Sequence, residues 1–234
     1  EGSLLDYGDV WKIIHRGQFP ELYENKDKEW EDFYSSYVST YLERDVADLI
    51  NTQNLLAFTK FMTSVAARTG NILSYSNLAS EVGVNDKTIA AWMGILVRSG
   101  IVYLLKPYCN SHLNRAIKSP KIYFRDTGLA CYLSRWLSAD TAKNGHMAGA
   151  LFETFVINEL IKSYSNAGKR YDFSIFFYQG KDKRRRKIRT DGGIVEEEVE
   201  GGIDLIIQEG DMLYPVEIKK HADPQKRDTD TFAL

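Results

Sequence analysis

The chain has 234 residues, 44% hydrophobic and 26% charged, which is enough apolar material for one large or two small cores. Its formal charge of −2 excludes a global basic field, so any contact with nucleic acid must come from local patches. The sequence has no apolar run of membrane-spanning length and no signal-peptide pattern. Cys109 and Cys131 lack metal-ligand spacing and read as free thiols in a reducing, cytoplasmic compartment. With no initial Met, the chain reads as a fragment of a longer protein.

Residues 1–53 read as a helical segment. A first helix around Asp9-Val10-Trp11 stops at Gly17 and Pro20. Trp30, Phe33, Tyr34, Tyr37, Val38, Tyr41 and Leu42 then recur at helical spacing, an aromatic core stripe rather than a base-stacking platform. Glu43-Arg44-Asp45 places charge at its end.

Residues 54–137 read as a winged helix-turn-helix domain. Its helices are expected at 55–67 and 76–82, then in a third segment capped by Asn85, with Ile89, Trp92, Met93, Leu96 and Val97 on the apolar side. Strands are expected at 101–105 and 121–124. Nucleic-acid contact would come from Lys87 and Arg98 on the third helix and from Arg115 and Lys118 in the wing. The same helix offers Ala90, Ala91 and Gly94, a small-residue face that suits docking to protein and lacks bidentate base readers. Both readings stay open. Arg125-Asp126-Thr127-Gly128-Leu129 leads into a helix to about 137, capped by Asp126 or Thr127, and the polar stretch 138–148 reads as a linker.

The last domain, 149–234, reads as helix, strand, strand, strand, with the first strand running from Phe173 to Tyr178. Its basic run, Lys181 to Arg189, resembles a nucleic-acid patch at first sight. Thr190-Asp191-Gly192-Gly193 is a hairpin turn signal, however, and folding about it sets Lys187 against Glu196, Arg186 against Glu197, Arg185 against Glu198 and Lys183 against Glu200. The basic run is therefore read as neutralised by its own hairpin. Two further strands follow, Gly202-Ile203-Asp204-Leu205-Ile206-Ile207 and Tyr214-Pro215-Val216-Glu217-Ile218-Lys219-Lys220, joined by a turn at 208–211. Alternation puts Glu217 and Lys219 on one face, and antiparallel pairing can bring Asp204 beside them. Two carboxylates and an ammonium on a sheet face must pair or bind a cation.

This Asp–x₁₂–Glu-x-Lys set resembles the PD-(D/E)xK nuclease superfamily. The resemblance implies a restriction-endonuclease-like α/β domain, with Glu153, Asp204 and Glu217 holding Mg²⁺ or Mn²⁺ and Lys219 stabilising the attacked phosphate in a metal-dependent endonuclease. Along the chain, Arg16-Gly17-Gln18-Phe19-Pro20-Glu21-Leu22, Tyr41-Leu42-Glu43-Arg44-Asp45-Val46, Tyr123-Phe124-Arg125-Asp126-Thr127-Gly128-Leu129 and Gly149-Ala150-Leu151-Phe152-Glu153 resemble the C-terminal part of bacterial and archaeal AAA-type ATPases that carry a C-terminal domain of unknown function. That resemblance implies an ATPase domain, with its ATP, in a missing N-terminal part, and makes residues 1–53 a remnant of its lid. Pro20 and Arg44 would then be nucleotide-sensing residues; plain helix-breaking and surface pairing are the competing readings. No Gly-x₄-Gly-Lys-Ser/Thr motif is present to bind ATP within this chain. The expected fold is α/β with an all-α N-terminal part. Expected partners are DNA or a protein, with room for oligomers and no membrane. The competing function is a non-catalytic protein-interaction module with a degenerate nuclease fold.

Overall fold

The computed structural model describes residues 7–25, 27–46, 54–109, 118–190, 193–220 and 232, with only the backbone described at 7, 43, 45 and 181–201. The chain is mixed α/β, with helices, one two-stranded sheet and one three-stranded sheet among the described residues. Two compact units emerge: Glu1–Leu104 with Lys121–Lys162, and Leu105–Pro120 with Ser163–Leu234. Among the described residues no helix is long and apolar enough to cross a membrane.

In the first unit, α1 (Tyr7–Arg16) buries Trp11 and Ile14 and ends at Gly17, whose φ of +85° favours glycine. Pro20 does more than break that helix: it stands at the start of α2 (Glu21–Glu24), where its fixed φ suits a first turn. The aromatic stripe lies on α3 (Trp30–Tyr41), burying Phe33, Tyr34 and Tyr41, and the chain runs on as a π-helical turn, Leu42–Val46. The helices α4 (Leu55–Ala66), α5 (Tyr75–Val82) and α6 (Asp86–Arg98) fall where the apolar spacing puts them. Asn85 caps α6 by accepting from Thr88 N–H at 2.8 Å. Ile89, Trp92, Met93 and Leu96 are buried, whereas Val97 is 38% exposed. Strands β1 (Val102–Leu105) and β2 (Lys121–Phe124) pair with each other.

The helical segment expected to stand apart shares one apolar core with the helix-turn-helix region. Trp11, Tyr34 and Val46 belong to the same cluster as Phe58, Ile89 and Phe124. The helix after Asp126, α7 (Thr127–Leu133), is shorter than expected. The stretch read as a linker is structured instead. Ser138 and Thr141 cap each other's backbone at the start of α8 (Ala139–Asn144), Ala142 is buried, and Trp136 Nε1–H donates to the buried Met147 sulfur at 3.2 Å. Its polar composition reflects a capped surface helix with one inward face. Helix α9 (Ala148–Asn166) is tied to β2 by Asn158, whose amide donates to the carbonyls of Phe124 and Arg125.

In the second unit, β3 (Ile175–Thr190), β4 (Gly193–Glu209) and β5 (Met212–Val216) form an antiparallel sheet in the order β3-β4-β5. The first strand expected in this region begins later and runs much further, because it continues into the basic run. The acidic run and the Asp204 segment likewise form one strand. Ile175, Phe176, Phe177, Ile203, Leu205 and Ile206 are buried. Residues 106–108 extend β3's side: Phe177 N–H donates to Lys106 O and Tyr108 N–H to Phe177 O.

The charged hairpin has the register expected from its turn. Lys183 pairs with Glu200, Arg185 with Glu198, Arg186 with Glu197 and Lys187 with Glu196. Reversing Glu196, Glu197 and Glu198 to Lys would set like charges opposite one another at three rungs. Each opposite-charge pair is worth roughly 0.2–1 kcal/mol and each like pair costs a similar amount, so the ribbon should open locally. Hydrogen exchange across 181–200 should accelerate in the triple variant; unchanged protection would argue against the ladder.

Candidate functional site

The β4–β5 register sets Leu205 against Val216. One step further along, Asp204 and Glu217 come opposite each other. The ladder does not continue through backbone pairs there. Strand β5 ends at Val216, and Ile218 N–H donates instead to Asp204 Oδ2 at 2.8 Å. That bond fixes the Asp204 carboxylate and holds the segment after β5 in place. Lys219 Nζ donates to Glu217 Oε1 at 2.5 Å and lies 4.0 Å from Asp204 Oδ2. The structure thus brings Asp204, Glu217 and Lys219 together, although Glu217 and Lys219 lie past the end of β5 and not within the strand expected at 214–220.

The three side chains differ in exposure. Glu217 is 11% exposed, Asp204 21% and Lys219 39%. Burial pushes the Glu217 carboxyl above the usual carboxylate range; the Lys219 hydrogen bond opposes that shift and the neighbouring Asp204 charge adds to it. Glu217 Oε2 is buried with no hydrogen-bond partner among the described residues. A buried, partnerless carboxylate oxygen beside a second carboxylate suits a cation ligand.

Glu153, expected as the third acid, has other company. It is a first-unit residue, whereas the trio belongs to the second. Its Oε1 accepts from Lys121 Nζ at 2.9 Å and from the buried Tyr123 hydroxyl at 2.5 Å, with Glu153 15% and Lys121 17% exposed. Its place in an apolar helical run reflects this half-buried ion pair. Among the described residues, no group of three or more His, Cys, Asp or Glu side chains could hold a metal ion.

The other expected residues are dispersed. Pro20 and Arg44 are exposed, on α2 and the π-helical turn. Lys87 and Arg98 are exposed at the two ends of α6, and Lys118 is an exposed residue of the second unit. Arg115 lies outside the described residues.

The residue whose importance sequence reasoning missed is Asp126. It caps α7 as expected, its Oδ1 accepting from Leu129 N–H at 2.7 Å. The same carboxylate also accepts from the Tyr34 hydroxyl at 2.7 Å and, through Oδ2, from Gln18 N–H at 2.6 Å. Burial pushes this carboxyl up, opposed by those three donors and by Lys162. Around it, Arg16 reaches back to the Leu22 carbonyl through Nε and Nη2, and the Tyr23 hydroxyl donates to Gly17 O at 2.6 Å. A Cβ on Gly128 would lie 2.2 Å from the Tyr34 hydroxyl and 2.6 Å from Gly17 Cα, so only glycine fits this approach. The segment around Arg16-Gly17-Gln18 and the one around Asp126-Thr127-Gly128 are therefore two halves of one junction. The signal was a cap residue beside a glycine, which specifies the local turn and not the distant partner.

A family model for a domain of unknown function (DUF8612) matches residues 7–140, more than half of the chain. The chain belongs to this family. The DUF8612 match takes in both segments that meet at Asp126 and stops short of the trio. Similar curated proteins are "Uncharacterized protein Mb2031c" of Mycobacterium bovis and "Uncharacterized protein Rv2008c" of Mycobacterium tuberculosis. Each is 31% identical over 152 residues, covering 62% of this chain and 33% of the relative. The matched region thus spans about a third of the length of these curated relatives. No solved structure matches.

Proposed function

We propose that the second unit is a PD-(D/E)xK-like module of an AAA-type ATPase and that Asp204, Glu217 and Lys219 form a site for metal-dependent cleavage of nucleic-acid phosphodiesters. The observation that supports this reading is the trio's geometry: two carboxylates and an ammonium gathered where β5 ends beside β4, with one buried carboxylate oxygen unpartnered among the described residues. The donor set fits Mg²⁺ or Mn²⁺. Such sites commonly use one or two protein carboxylates and leave the remaining positions to water and phosphate.

A divalent cation held by Asp204 and Glu217 would supply Lewis acidity to the phosphodiester and lower the pKa of a nearby water. Ile218 N–H orients Asp204, in the way a hydrogen bond behind a ligand fixes its geometry. The Lys219 ammonium, held by Glu217, is placed to offset negative charge developing on the attacked phosphate. In the first unit, a winged helix formed by α4–α6 with β1 and β2 would present Lys87 and Arg98 to the nucleic-acid backbone.

Titration of Mn²⁺ into the chain and into Asp204→Asn tests the site directly. The variant should lose at least about ten-fold in affinity while keeping its circular-dichroism spectrum, since one of two charged ligands is neutralised. Equal Mn²⁺ affinity in the two proteins would refute the assignment.

A second reading, a non-catalytic interaction module, has its own support. Glu153 is committed to Lys121 and Tyr123, and α6 exposes Ala90 and Ala91 between its two cations. In that reading the trio is a polar cluster in its own right, and α6 docks against protein.

A further inference from the structure

Within the first unit, a cavity of about 230 Å³ opens beside the junction at Asp126. Phe19 and Tyr37 form one wall, their ring centroids 4.9 Å apart, and the buried Ile101 and Leu129 add to the apolar lining. Phe19 also has ring contacts to Phe33 and Tyr34, so the wall stands before any ligand arrives. Gly100 is exposed, and a Cβ there would meet no atom within 4 Å, which leaves that side open. The charged groups of the lining are engaged within the fold. Asp126 accepts from the Tyr34 hydroxyl and from the N–H groups of Gln18 and Leu129. Lys162 donates to Glu159 Oε1 at 2.9 Å and to Gln18 Oε1, and the Gln18 amide donates to Glu159 in turn. Arg125 lies over the Tyr103 ring at 5.5 Å and has a further partner.

These features select a ligand by what they withhold. An ion of either sign would give up its water for groups whose charges are already answered, which is a net cost. The cavity offers aromatic and aliphatic surface instead, and that surface favours an uncharged flat ring. Size narrows the class. An apolar cavity of about 150 Å³ accommodates benzene, so this one has room for a ring and one small substituent, whose polar atoms can stay in water on the open side. We infer that this cavity binds an uncharged monocyclic aromatic molecule, with its ring against Phe19 and Tyr37. The site is separate from the trio and does not depend on the second unit being a nuclease.

The experiment titrates four molecules of nearly equal size into the chain, followed by protein NMR. Benzamide, benzoate and benzamidinium share one shape and differ in charge; cyclohexanecarboxamide keeps the neutral substituent and lacks the flat ring. Benzamide should bind saturably and shift resonances of residues 18–19, 37 and 100–101. Benzoate and benzamidinium should each bind at least about ten-fold more weakly, because neither finds an unanswered counter-charge. Cyclohexanecarboxamide should bind about 2- to 10-fold more weakly than benzamide, the loss expected for a ring-on-ring contact. Tyr37→Leu, which keeps the wall apolar and removes its ring, should weaken benzamide by a similar factor and leave cyclohexanecarboxamide unchanged. The comparison of the four ligands on the unaltered chain decides the matter even if that variant folds poorly. No saturable binding of benzamide, binding of either charged isostere as tightly as benzamide, or equal binding of cyclohexanecarboxamide would overturn the proposal.

Discussion

Replacing Asp126 with Ala should destabilise the first unit by about 2–4 kcal/mol, the sum expected for losing a helix N-cap and leaving a buried donor unsatisfied. Three donors converge on this carboxylate and would fare differently in the variant. Leu129 N–H at the start of α7 would lose its cap. Gln18 N–H would lose its acceptor, although it borders a cavity that water can enter. The Tyr34 hydroxyl would retain its bond to Arg16 O at 3.1 Å. Chemical denaturation of the two proteins measures the difference. Thr127→Val is the control on the same turn. It removes a buried hydroxyl with no partner among the described residues and should be close to neutral. A loss below about 1 kcal/mol for Asp126→Ala would show that the junction contributes little beyond ordinary capping.

The same residue predicts a pH dependence. Its carboxyl is raised in the folded chain. The folded state therefore holds the proton more tightly than the unfolded state does, and stability falls as pH rises from the ordinary carboxylate range through the raised value. That portion of the slope should vanish in Asp126→Ala.

The largest expected effect on activity belongs to Lys219→Ala. If the trio cleaves phosphodiesters, removing the ammonium should lower the rate by about 100-fold or more, the usual cost of losing a group that stabilises transition-state charge. The fold should survive, because Lys219 is 39% exposed and lies beyond the end of β5. Supercoiled and single-stranded DNA with Mg²⁺ or Mn²⁺ are the substrates to compare. Equal cleavage by both proteins would remove Lys219 from the chemistry. Absence of cleavage in the folded parent would leave the interaction module as the surviving reading.

Much of this architecture is legible in the sequence where the physics is local. The α6 stripe, the Asn85 cap, the two-residue turn between Glu209 and Met212 and the whole register of the charged hairpin depend on spacing and turn chemistry within a few residues. The meeting of Asp204, Glu217 and Lys219 is legible for the same reason, since one antiparallel pairing decides it. Long-range partners are not legible in this way. Glu153 on α9 could face a metal or a lysine with equal local plausibility, and the structure gives it Lys121 and Tyr123. Asp126 advertises a cap, while its bond to Gln18 spans 108 residues. The stretch at 138–148 misled because a capped helix of six residues is too short to show a periodic apolar face.

The way the two units divide the chain between them bears on how the protein is made. The first unit is interrupted by Leu105–Pro120, and the second consists of that inserted stretch together with everything after Lys162. Synthesis from the N-terminus therefore cannot complete one unit before starting the other. The core containing Trp11 and Phe58 also needs Met147 and Leu151, so it stays open until α9 has left the ribosome, by which time the first piece of the second unit is already waiting for its sheet. A nascent chain arrested before α9 would expose apolar surface at both places, which makes that interval the point where a chaperone would be most needed.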